Sequence, residues 1–169
     1  YNSSQLGMVS AVLYGIVQTA LFTLLAVYAT SMNFSIFEIS IVTFLLAISG
    51  AVAQFPVGKV SDYYDRRKVI VFSTFGAAIF SILTILVTGQ MYLPEGLATS
   101  KKWFYIFFIL FSFCSLPMFS LILAHTNDYI TKDKFVAAGA GLQFTFGIGA
   151  ISGPFLCSLF MDLSLIHIS

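Results

Sequence analysis

The chain has 169 residues, of which 59% are hydrophobic and 9% charged, and its net charge is +1. A soluble domain carries roughly 25% charged residues, and a chain this short leaves much of its surface exposed, so an ordinary water-soluble domain is excluded. The near-neutral charge and the lack of a basic stripe also argue against nucleic acid as a partner; the composition points to a lipid bilayer instead.

A membrane span needs roughly 20 mostly apolar residues, and five segments meet that need, at about 6–30, 39–57, 69–88, 103–124 and 135–161. None contains Asp, Glu, Lys or Arg: the eight basic and seven acidic residues all fall in connections or at segment ends. The runs are long and unbroken, unlike the short alternating strands of a barrel. The fold class expected is therefore all-α, a polytopic bundle of five transmembrane helices.

The first segment has no charged residues before it and the chain begins at Tyr1. It reads as a membrane helix of a chain that lacks its beginning, not as a signal peptide. Tyr14 and Gln18 stand one turn apart on it and share a face. The second segment closes on Gln54-Phe55-Pro56-Val57 and runs into Gly58-Lys59-Val60-Ser61-Asp62-Tyr63-Tyr64-Asp65-Arg66-Arg67-Lys68, a very short charged connection to the third. Gly58 would let helix backbones approach closely. Asp62 is an anion at a membrane boundary, suited to a helix N-terminus or an arginine. Arg66, Arg67 and Lys68 would anchor the third segment against headgroups; on its own that anchoring is the plainer reading.

The connection from Gly89 to Lys102, with Pro94 and Gly96, leads to the fourth segment, where Trp103 and Tyr105 suit an interfacial belt. Ser112 and Ser115 share a face there, and Pro117 follows. The fifth segment holds Gln143 and the run Gly147-Ile148-Gly149-Ala150-Ile151-Ser152-Gly153-Pro154. Gly149 and Gly153 are spaced for close helix packing, and Pro154 removes a backbone hydrogen bond and favours a bend. After Asp162 the string 163–169 continues no pattern and resembles translated adapter sequence; no function is assigned to His167.

Six of the eight basic residues, Lys59, Arg66, Arg67, Lys68, Lys132 and Lys134, fall on one side of the membrane, and only Lys101 and Lys102 on the other. The positive-inside rule places the richer side, with Tyr1, in the cytoplasm. Cys114 and Cys157 each sit in an apolar run without metal-ligand spacing and read as packed thiols. No cofactor or metal is expected. An integral membrane enzyme would need a convergent constellation, and His125 with Asp128 is the one pair on offer, without a nucleophile motif.

The connection from Gly58 to Lys68 resembles the signature loop of the major facilitator superfamily, G-x-L-A-D-R-x-G-R-[RK]. Gly58, Asp62, Arg66 and Arg67 match it; Tyr63 replaces an Arg and Asp65 a Gly. Asp tolerates left-handed turn geometry, so the turn is expected to survive. The run from Gly147 to Pro154 is similar to the superfamily's G-x-x-x-G-P element, although Phe155 and Leu156 replace the glycine pair that follows it in antiporters. Leu116 to Leu121 and Ala124 to Asp128 resemble the tenth span and its loop in a bacterial branch, the YcaD-like group.

The resemblance implies secondary transport of a small solute by alternating access. It implies that residues 1–162 are part of one six-helix half, spans seven to eleven, with spans one to five as the other register. The missing half of the same polypeptide would then be a partner. Gly58, Asp62, Arg66 and Arg67 would form a conformational latch against it. Tyr14, Gln18, Ser112, Ser115 and Gln143 would be the polar candidates for the substrate cavity, and Pro117, Gly149, Gly153 and Pro154 the kink and packing elements. No span carries a carboxylate of the kind that marks proton relays, so a coupling ion, if used, is expected to act in the other half. The bacterial inner membrane is the expected location. A non-transporting sensor or binding protein on the same fold is the alternative.

Overall fold

The computed structural model describes residues 2–90 and 97–166, with side chains over 6–89 and 101–159. Six α-helices follow one another: α1 (Asn2–Ser31), α2 (Ile36–Tyr63), α3 (Arg66–Gln90), α4 (Leu97–Ser115), α5 (Met118–Asn127) and α6 (Phe135–Ile166), with a 3₁₀ turn at Lys132–Lys134 before α6. There is no strand among the described residues. Five stretches of them are long and apolar enough to cross a membrane: Leu6–Ser31, Ile36–Tyr63, Arg66–Gly89, Lys101–Asn127 and Lys132–Leu159. In hydrocarbon every backbone N–H and C=O needs an internal partner, and a helix supplies one for each. Pro94 and Gly96 lie outside the described residues, as does His167; α6 itself runs on to Ile166.

The fourth expected span is one membrane crossing made of two helices. Pro117 has no N–H to donate to the preceding turn, and its ring crowds the carbonyl four residues back. The helical bonding accordingly stops at Leu116, whose N–H donates to Ser112 O at 3.0 Å, and resumes with Leu121 N donating to Pro117 O at 3.1 Å. By contrast α2 runs unbroken past Pro56, and α6 past Pro154. The second span also extends beyond its apolar run: α2 continues through Gly58 to Tyr63, which leaves only Tyr64 and Asp65 between it and α3.

The chain divides into two compact units. One contains α1 up to Val27 and the chain from Ile122 onward; the other is Tyr28–Leu121. In the first, glycines set the spacing of α1 and α6. A Cβ at Gly149 would strike the Val12 carbonyl oxygen and stand 3.1 Å from Ile16 N; one at Gly153 would strike Ile16 O. From the other side, a Cβ at Gly15 would strike Phe146 O and stand 3.1 Å from Ala150 N. Backbone therefore lies against backbone, the close packing that substitutes for a hydrophobic drive between helices in lipid. Ala11 and Leu142 are buried in this unit.

In the second unit Val42, Leu46 and Ala53 of α2 are buried, with Phe104 and Phe108 of α4. Leu116 fills the space left by Gly50 on α2. Phe104 stacks on Phe108 at 5.5 Å and meets Phe34 edge-on at 5.3 Å. The ends of the helices are capped locally. Asn33 takes a left-handed conformation (φ 57°) after α1, and Phe34 N–H reaches back to Ala29 O at 3.1 Å, the closing bond of a Schellman-type stop. Ser35 then opens α2 with a capping box: Glu38 N donates to Ser35 Oγ at 3.3 Å and Ser35 N to Glu38 Oε2 at 2.8 Å.

Large apolar side chains cover the outside of both units. Phe55 is 78% exposed and Val136 86%. Such a surface suits lipid or further apolar helices and not water.

Candidate functional site

The two-residue turn between α2 and α3 is built by its acids. Tyr64 is extended (φ −113°, ψ 163°), and its N–H still donates to Val60 O at 3.0 Å. Asp65 occupies the N-cap position of α3. Its Oδ1 accepts from Arg67 N at 2.9 Å, and its carbonyl accepts from Lys68 N at 2.9 Å. The residue that replaces glycine in the superfamily loop therefore caps the next helix, and among the described residues Asn33 is the one non-glycine with positive φ. Left-handed geometry, expected from the sequence at this turn, is not used. The clue was an Asp just before a helical run, a strong N-cap signal.

Asp62 and Arg66 meet across the turn. Arg66 Nη2 donates to Asp62 Oδ1 at 3.3 Å, with the Asp62 side chain 69% exposed and that of Arg66 24%. Exposed pairs of this kind are worth about 0.2–1 kcal/mol, so the pair orients the two groups more than it stabilises the fold. Asp62 keeps an open side, and Arg67, the residue after Arg66, is exposed. Nothing among the described residues lies within 4 Å of a Cβ placed at Gly58, so the close backbone approach expected there is not made by them. Ser61 is buried and bonds back to Gly58 O at 2.8 Å.

The other sequence candidates divide between the units. Within the first, Tyr14 is buried, its ring 6.1 Å from that of Phe146, while Gln18 is half-buried and Gln143 exposed. Within the second, Ser112 is fully buried and donates to Phe108 O of its own helix at 2.7 Å, and Ser115 is buried on the same face. Thr84, Thr88 and Thr126 likewise donate to carbonyls one turn back. The hydroxyls of Ser112, Thr84, Thr88 and Thr126 are thus satisfied within their own helices. His125, weighed above with Asp128, is buried on α5 with Tyr129 edge-on at 5.1 Å.

Sequence reading missed the link between α2 and α4. Lys101 Nζ lies 2.7 Å from Glu38 Oε1 and 4.8 Å from the Phe34 ring centroid. The Ser35-x-x-Glu38 spacing announces the capping box, but nothing local announces a partner 63 residues away.

Five apolar crossings, helix packing on glycine and a charged two-residue turn define a polytopic helical membrane protein. The chain belongs to the Major Facilitator Superfamily, which it matches over residues 7–167. Its relatives include the uncharacterized MFS-type transporter YE1530 of Yersinia enterocolitica, 27% identical over 161 residues, 95% of this chain and 38% of the relative. YfkF of Bacillus subtilis, also an uncharacterized MFS-type transporter, is 28% identical over 146 residues, 83% of this chain and 33% of the relative. YcaD of Escherichia fergusonii, of the same description, is 21% identical over 161 residues, again 95% and 38%. The chain thus spans well under half the length of these relatives. No solved structure matches it.

Proposed function

We propose that this chain is part of one half of a secondary transporter that moves a small solute across the bacterial inner membrane by alternating access. The α2–α3 turn carries the reading. Asp62 and Arg66 stand side by side at a membrane boundary, one of them largely exposed, where a second half can engage them when the pathway closes on that side. Residues 1–162 then belong to spans seven to eleven, with the six basic residues of the two richer loops in the cytoplasm. The missing half of the polypeptide supplies the opposing surface. Tyr14, Gln18, Ser112, Ser115 and Gln143 are the proposed polar contacts to the solute, and Pro117, Gly149, Gly153 and Pro154 the proposed points of packing and flexure.

The test is flux through the full-length protein in proteoliposomes. Asp62→Asn keeps the shape and loses the charge. It is expected to leave membrane insertion and yield unchanged and to lower uptake several-fold. Wild-type uptake by a well-expressed variant removes the latch. Absence of flux for every solute class offered to the unmodified protein favours a non-transporting sensor on the same fold.

A further inference from the structure

A groove of about 520 Å³ runs between α2, α3 and α4 inside the second unit, a volume within the roughly 300–1,000 Å³ of small-molecule sites. Pro56, Phe72, Phe113 and Cys114 form part of its walls, and Tyr64 and Lys68 also line it. We propose that this groove binds a bilayer phospholipid with an anionic headgroup, its phosphate at Lys68 and Tyr64 and one acyl chain along Phe72 and Phe113.

Three observations carry the assignment. First, the lining is almost wholly apolar over its length, so what enters it is hydrocarbon. Second, its two polar groups of any reach sit together at the membrane boundary. Tyr64 follows the end of α2 and Lys68 falls in the first turn of α3, whereas Phe72 lies one turn further along α3. Third, neither side chain has an ion pair or hydrogen bond among the described residues, although two acids are close in sequence. Asp62 is engaged by Arg66, and Asp65 by the backbone N–H of Arg67. A cation left unpaired at the head of an apolar groove is complementary to an anion joined to an alkyl chain. Basic pockets between transmembrane helices hold headgroups in this way, with a Lys stem lying along the apolar wall. This proposal does not depend on the transported solute.

The test is native mass spectrometry of the full-length protein released from bilayers of phosphatidylcholine containing a minor share of phosphatidylglycerol. The parent protein is expected to retain phosphatidylglycerol several-fold above its bilayer share. Lys68→Gln is expected to bring retention down to that share, whereas Lys132→Gln, an exposed cation on another loop, leaves it unchanged. Phe113→Trp, which narrows the groove, is expected to lower retention of both lipids; if it fails to express, Phe72→Trp serves the same purpose. Equal loss with Lys68→Gln and Lys132→Gln reduces the effect to general surface charge and overturns the site. Absence of any enriched lipid means that the remainder of the polypeptide covers the groove, which overturns it equally.

Discussion

Asp65 shows how one residue can replace another by a different physical route. Where the superfamily loop has glycine, this chain uses a carboxylate that accepts from Arg67 N–H and starts α3. An N-cap changed to Ala costs about 0.5–2 kcal/mol, and changed to Gly only a few tenths. Asp65→Ala is therefore expected to lower the stability of the full-length protein measurably in a denaturant titration, and Asp65→Gly hardly at all. Equal losses for the two would mean that the side chain acts through its charge and not through the cap. At this scale the local signals stand in the sequence, although the turn at Asp65 was expected to be left-handed and its cap was not foreseen. The Ser35-x-x-Glu38 box and the Asp before Arg66 are readable from spacing alone, whereas the Glu38–Lys101 pair is not, since it depends on how α2 and α4 come to lie. The burial of His125 was hidden for the same reason: the sequence places it at a helix end but not beneath its neighbours.

Among the elements, the helices were legible and their interruptions were not. Long uncharged runs fix where spans occur, because the bilayer sets their length. They do not say which proline stops a helix. Pro56, Pro117 and Pro154 all stand in apolar runs, yet the helix breaks at Pro117 and passes through the other two. Glycine separates in the same way. Gly149 lies against the backbone of α1, while a Cβ at Gly147 meets nothing within 4 Å. Gly149→Val is expected to cost about 1–3 kcal/mol by overpacking, with Gly147→Val near neutral, in SDS titrations of folded protein. Comparable losses at both positions would show that helix propensity, and not the contact with Val12 and Ile16, governs the site.

At the scale of the whole molecule, charge placement determines orientation. With Lys59, Arg66, Arg67 and Lys68 gathered around one turn, that turn is expected in the cytoplasm. Tyr63, 79% exposed beside it, offers a probe. In a variant of the full-length protein with its native thiols replaced, Tyr63→Cys is expected to react with a membrane-impermeant maleimide in inverted vesicles and not in intact cells. The opposite pattern would invert the topology. The substrate was not legible at any scale, because the polar side chains in the spans are uncharged and many of them serve their own helices.

That last property has a mechanical side. The hydroxyls of Ser112, Thr84, Thr88 and Thr126 donate to carbonyls one turn earlier on their own helices, and α1 meets α6 through glycine and carbonyl surfaces. Directional bonds hold each rod together, and close packing brings α1 against α6, while α2 and α4 keep a polar tie through Glu38 and Lys101. Dispersion falls and recovers smoothly as surfaces shift by fractions of an ångström, whereas a buried hydrogen bond has to be broken and leaves its groups stranded. Rods that meet through such surfaces can shift without stranding a buried polar group at the contact, while each stays stiff along its own length.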